Sequence, residues 1–127
     1  PRAERIGVEV FAQSADVAAE SLRNVPLFSR LPEAVLARMA SRFKTEDVPL
    51  GNDLIVEGGG QSRFFIIARG QVEVLSKGVH GSNLRIALLT EGEYFGEADL
   101  AGDRPSEVTV RTTTPCLLLT LSRKDLE

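Results

Sequence analysis

Tryptophan is absent, and cysteine, histidine, methionine and tyrosine each occur once in 127 residues. A single cysteine excludes any disulfide framework within the chain, and a single histidine excludes a metal site built from clustered imidazoles. The same scarcity removes Ser-His-Asp and Cys-His catalytic arrangements. His80 lies in Lys77-Gly78-Val79-His80-Gly81-Ser82-Asn83, which reads as an exposed hairpin tip, and Cys116 opens the apolar run Cys116-Leu117-Leu118-Leu119, which reads as a core strand. This chain is therefore expected to bind rather than to catalyse. No uncharged apolar stretch approaches the roughly twenty residues that span a bilayer. The start, Pro1-Arg2-Ala3-Glu4-Arg5, has no apolar signal region behind it. A soluble, cytoplasmic segment with no membrane partner is expected, and the missing initiator methionine points to a piece of a longer protein.

A basic block is missing too. Fifteen Lys and Arg stand against eighteen Asp and Glu, a net charge of -3 with both signs scattered, so binding of a nucleic-acid backbone by this segment is not expected. What is present is an ordinary globular balance, 43% hydrophobic and 26% charged, at the size of one domain able to bury a real core.

The chain divides into residues 1–13, a linker or tether, and 14–127, one folded domain. Ile6, Val8 and Val10 alternate with Gly7 and Glu9, so the first ten residues suit either a short strand or a tether. Ser14 can cap a helix that carries Val17, Ala18 and Leu22 and stops at Pro26. A second helix is expected to begin at Pro32 in its first helical position, with Glu33 near the positive end and the core stripe Val35, Leu36, Met39, Ala40, Phe43. After Lys44 the period changes to short extended runs separated by turn residues: Phe43 to Val48, Asp53 to Glu57, Phe64 to Ala68, Gln71 to Ser76, Leu84 to Leu89, Val108 to Arg111 and Cys116 to Leu121. That spacing predicts an α+β, mainly β domain, an antiparallel β-barrel or jelly roll behind N-terminal helices. Arg111 marks a solvated strand face. Gly58-Gly59-Gly60 reads as a hairpin, since no Lys-Ser or Lys-Thr follows to make a phosphate loop. At the end, Ser122 and Asp125 have the spacing of a capping box.

The most specific string is Phe95-Gly96-Glu97, then Ala98 to Arg104, then Pro105-Ser106-Glu107-Val108-Thr109-Val110. It resembles the phosphate-binding cassette of the cyclic-nucleotide-binding domain family, whose pattern is Phe-Gly-Glu, a short apolar helix, Pro-Arg, small residues and a strand. Val25-Pro26-Leu27-Phe28-Ser29 is similar to the family's helical entrance, Glu57-Gly58 with Phe64 to Ile67 and Gly70 to its second and third strands, and Leu84 to Glu97 to its approach to the cassette. The resemblance covers roughly Pro26 to Glu127. It implies a short cassette helix over Glu97 to Ala101, and a lid helix following the last strand that is cut off here.

The implied ligand is cyclic AMP, less so cyclic GMP, and the implied site is Phe95, Gly96, Glu97, Ala98, Arg104, Ser106, Glu107 and Val108. A helix start offers backbone N–H groups and a positive end to a cyclic phosphate. Gly96 would let the backbone approach the sugar without a Cβ, and Glu97 would accept a hydrogen bond from the ribose 2′-hydroxyl. Ser106 and the N–H groups of Ala98 and Glu107 would face the phosphate. The family's arginine follows the proline, where this chain has Ser106. Losing that charge-assisted contact costs about 1.5–3 kcal/mol, and the carboxylates of Glu107 and Asp99 add repulsion. Arg104, just before Pro105, is the substitute cation in sequence. Two functions follow: a regulatory module that senses cyclic AMP or a related nucleotide for an attached or host protein, or a degenerate fold serving as a structural or interaction module, for example within an encapsulin-type shell. Any oligomeric state would come through the host.

Overall fold

The computed structural model describes residues 22–26, 28–59, 63–78, 81, 83–96 and 105–126. Residues 22–24 are helical and the chain turns at Pro26, as the first helix requires; its start at Ser14 and the tether 1–13 lie outside the described residues. Helix α1 is Glu33–Ala40. Pro32 precedes it as the capping residue, correcting its expected place inside the first turn. Its ψ of 148° is extended, yet its carbonyl already accepts from the N–H groups of Val35 (3.0 Å) and Leu36 (3.1 Å).

Eight strands follow among the described residues: β1 Lys44–Val48, β2 Asp53–Ile55, β3 Arg63–Arg69, β4 Val72–Lys77, β5 Asn83–Leu89, β6 Tyr94–Phe95, β7 Thr109–Thr112 and β8 Cys116–Ser122. They form two antiparallel four-stranded sheets, ordered β1-β8-β3-β6 and β2-β7-β4-β5. The expected barrel is not closed. Among the described residues no ladder joins one sheet to the other, and the architecture is a jelly roll.

The strands β3 and β8 are central in their sheet and covered on both sides, which is why each reads as a continuous apolar run rather than an alternating one. Phe64, Ile66, Leu119 and Leu121 turn toward Leu22, Val25, Phe28, Leu36, Met39 and Ala40. Phe65, Ile67, Cys116 and Leu118 turn toward the second sheet, meeting its Leu54, Ile55, Val72 and Val110, with Phe95 of their own sheet in the same cluster. Phe64 fastens the helical side: the rings of Phe28 and Phe43 stand edge-on to it at 5.8 and 5.9 Å. Burying a ring of this size is worth about 1.5–3 kcal/mol. The strand β5 is a sheet edge, and Leu84, Ile86 and Leu88 are exposed on it.

Three strand boundaries shift for identifiable reasons. Phe43 does not start β1, because its N–H closes the end of α1 on the Ala40 carbonyl. The strand β2 stops at Ile55; the Glu57 N–H is taken by Thr109 Oγ1 (3.0 Å) instead of a ladder partner. Val108 stays outside β7, since both its N–H and its carbonyl turn to the Ser106 hydroxyl. The two-residue β6 has no alternation to betray it, and it pairs with β3 as Phe65↔Phe95 and Ile66↔Tyr94. At the chain's end the capping box forms: Asp125 N–H donates to Ser122 Oγ (3.1 Å) and Ser122 N–H to Asp125 Oδ2 (3.0 Å), opening a 3-10 turn at Lys124–Leu126. His80, in the expected hairpin tip, lies outside the described residues.

Candidate functional site

The motif begins on β6 rather than in a loop. Phe95 is buried between the sheets, its ring stacked on Phe65 at 4.7 Å and 13°. Arg63 lies over the other ring of the pair, 4.8 Å from the Phe65 centroid, while its guanidinium donates to Glu46 (2.9 Å). Phe95 is thus an anchor of the core. Gly96 follows with φ +89°, and a Cβ there would overlap the Arg63 carbonyl oxygen. The physical reason for glycine is this close backbone approach together with a left-handed φ. The approach to a sugar expected from the sequence is a separate matter, because Glu97, Ala98 and Arg104 lie outside the described residues, as do the cassette helix and Asp99.

On the far side of the motif the chain is held by a bracket that the sequence did not announce. The Gly58 N–H donates to the Ser106 carbonyl (2.8 Å), and the Ser106 N–H donates to the Gly59 carbonyl (3.1 Å). Glu57 and Thr109 add the contact described above, so residues 57–59 and 106–109 are joined by three hydrogen bonds. The expected hairpin Gly58-Gly59-Gly60 is in its described part a docking strip for Ser106.

Ser106 itself is buried, 8% exposed. Its hydroxyl donates to the Val108 carbonyl (2.8 Å) and accepts the Val108 N–H (3.3 Å), a local turn of the kind serine forms readily. Backbone and side chain of Ser106 are therefore all engaged inside the protein. The hydroxyl, expected from the sequence to face a phosphate, is closed on Val108 in this structure. Glu107 is exposed beside it.

The strands β4 and β5 carry an apolar surface. Val72 and Val74 on β4 lie opposite Leu89 and Ala87 on β5, and directly opposed residues share a face. Val72 is fully buried in the inter-sheet core, whereas Val74, Leu89 and Val108 are only partly covered against it. The alternation of β4 marks Val74 as facing inward. Ala87, its partner, and Leu89, the partner of Val72, become visible only from the register, because β5 is apolar on both faces.

Charged side chains of this sheet pair with one another. Arg85 makes two hydrogen bonds to Glu73 Oε2 (3.1 and 2.8 Å), and Arg111 donates to Asp53 Oδ1 (2.7 Å). The hydrogen bond to Asp53, then the charge of that carboxylate, holds the Arg111 pKa above its ordinary value. The solvated face expected for Arg111 holds, with this ion pair on it. Cys116 is buried, its thiol directed at the carbonyls of Gln71 (3.4 Å) and Thr114 (3.3 Å), as a core thiol should be. Among the described residues no cluster of His, Cys, Asp and Glu is placed to hold a metal ion, and no helix is long and apolar enough to cross a membrane.

The described architecture is a two-sheet jelly roll with Phe95 and Gly96 anchored at the end of β6 and the Pro105-Ser106 turn bracketed to the β2–β3 connection. Residues 46–127 match the cyclic nucleotide-binding domain family, and the chain belongs to that family. Among curated relatives, it is 32% identical over 106 residues to potassium channel AKT2 of Oryza sativa subsp. japonica, covering 84% of this chain and 12% of the relative. It is also 32% identical over 102 residues to the cAMP-dependent protein kinase regulatory subunit of Yarrowia lipolytica, covering 80% of this chain and 26% of the relative. The chain thus spans about a quarter or less of those proteins. Solved structures with the same fold include the regulatory domain of Toxoplasma gondii PKA with cAMP, at TM-score 0.77 and 23% identity, covering 87% of this chain and 42% of that one. Another is the regulatory subunit of a cAMP-independent protein kinase A from Trypanosoma cruzi bound to guanosine, at TM-score 0.73 and 23% identity, covering 91% and 41%.

Proposed function

We propose that this domain is a regulatory, non-enzymatic binding module for cyclic AMP or a related nucleoside compound, serving an attached or host protein in the cytoplasm. The observation that carries the reading is the family match over residues 46–127, which contains every residue of the proposed site. The partly covered apolar surface of Val74, Leu89 and Val108 supports it, because a purine needs a flat apolar seat. Glu97 is proposed to hold the ribose, with the N–H groups of Ala98 and Glu107 and the guanidinium of Arg104 nearest the remaining polar part of the ligand. The two curated relatives are a channel and a kinase subunit, so the output is set by whatever the domain is joined to.

Calorimetric titration with cyclic AMP, cyclic GMP, adenosine and guanosine tests this. Saturable binding of any of the four in the micromolar range, weakened by Glu97→Ala, is the expected result. Silence into the millimolar range would overturn it and favour a second reading, an interaction scaffold within a larger assembly. The observation behind that second reading is the Ser106 hydroxyl, closed on Val108 where the family pattern has an arginine.

A further inference from the structure

We infer that a groove at one end of the first sheet docks an amphipathic helix of a partner, one whose apolar stripe lies between a base and an acid. The inference goes beyond the proposed function, since no residue of the groove belongs to the proposed nucleotide site. The groove has a volume of about 480 Å³, and Asp47, Val48, Pro49, Arg69, Pro115 and Leu117 line it. Asp47 on β1 and Arg69 on β3 both lie opposite Leu117 of β8, so the three form a row on one face of the sheet. Leu119 and Leu121 share that face by strand alternation, and the helical side covers both of them. Leu117 is only half-buried. The helical layer therefore stops one step short of it and leaves a gap at the level where helices pack on this sheet.

The charges define what fits the gap. Asp47 and Arg69 are exposed, and among the described residues neither enters an ion pair, whereas Arg63, Lys77, Arg85 and Arg111 each hold a carboxylate. Neighbouring strands lie about 4.7–4.9 Å apart, so the two charges stand about 10 Å apart at the backbone with Leu117 between them. At about 1.5 Å per residue that is some seven residues of helix, and positions i, i+3, i+4 and i+7 share a helix face. A base at i, apolar residues at i+3 and i+4 and an acid at i+7 would meet Asp47, Leu117 and Arg69 in turn. The site is also preformed. At Gly70, φ +107°, a Cβ would overlap the Pro115 carbonyl oxygen and the Cys116 sulfur, so the end of β3 that carries Arg69 is held against the start of β8. A partner then has little of the groove to order on binding.

The test uses three synthetic helical peptides of about fifteen residues, alike except at i and i+7, which carry Lys and Glu, two Lys, or two Glu. Binding to the 127-residue chain is read by fluorescence anisotropy of the labelled peptide at low ionic strength. The mixed peptide should bind about threefold or more tightly than either of the others, the scale of exposed ion pairs, and added salt should remove the preference. Asp47→Lys should turn the preference to the peptide with two Glu, and Arg69→Glu to the peptide with two Lys. Both positions are exposed, so circular dichroism should show the fold of each variant unchanged. Equal affinities for the three peptides, or a preference that ignores the two charge reversals, would overturn the inference. So would a dimer in sedimentation that Asp47→Lys dissociates, because the groove would then belong to a second copy of this chain. Each of these results leaves the nucleotide reading standing, since titration with the nucleotides and nucleosides tests that separately.

Discussion

Replacing Gly96 by alanine tests whether the start of the binding motif is welded to β3, and Gly92 provides an internal control. Both have positive φ, +89° and +84°. An alanine at either pays about 1–2 kcal/mol for a left-handed backbone, offset in part by about 0.4–1 kcal/mol from a stiffer unfolded chain. Around Gly92 a Cβ meets nothing within 4 Å, so Gly92→Ala should cost about 1 kcal/mol from strain alone. At Gly96 the Cβ overlaps the Arg63 carbonyl, which belongs to a central strand paired with β8 through Arg63↔Ser122. That carbonyl is backbone and cannot swing aside as a side-chain tip would. Forcing it outward should add about 1–3 kcal/mol, the usual cost of overpacking. The measurement is thermal denaturation followed by far-ultraviolet circular dichroism, since the chain has no tryptophan to report by fluorescence. Gly96→Ala should lie below Gly92→Ala by that margin, roughly 3–10 °C in Tm for a domain of this size. Equal destabilisation by the two substitutions would mean that Arg63 does not press on Gly96, and the reasoning about the anchor would fail.

Ser106→Ala should lower stability by about 1–2 kcal/mol, because the Val108 N–H and carbonyl both lose a partner in a partly buried place. Denaturant midpoints check it; unchanged stability with a clear loss of ligand affinity would instead place the hydroxyl in the pocket. Asp125 is held below the usual carboxylate range, first by the backbone and side-chain hydrogen bonds to Ser122, then by Lys44. A lowered folded pKa means its contribution is present above about pH 4, the unfolded value, and disappears as pH falls through the folded one. Asp125→Asn should therefore be less stable than the parent chain at pH 7, with the gap in Tm closing below about pH 4. A gap independent of pH would show that the carboxylate charge contributes nothing.

Much of the fold was legible because it follows from local patterns. The helical stripe of Leu36, Met39 and Ala40 and the paired Ser122 and Asp125 are read from spacing alone, since helix geometry and caps involve neighbours in sequence. Unbroken apolar runs at Phe64 to Ala68 and Cys116 to Leu121 announced strands, and their burial on both faces fits that lack of alternation. The two-residue β6 was not legible. It owes its existence to pairing with β3 and to the stacking of Phe95 on Phe65, contacts between residues thirty positions apart that leave no local period.

The site divides along the same line. By itself the sequence determined the family, the order of its motifs, the serine where a cation is expected, and the excess of carboxylates around it, because these are matters of residue type and spacing. Only the tertiary structure decided that Gly58 and Gly59 grip the Ser106 turn, that Phe95 is an anchor in the core, and that Gly96 is required by the Arg63 carbonyl. Each of those depends on which groups far apart in the sequence are brought into contact. That proximity comes from the packing of two sheets and is not written in either partner's own neighbours.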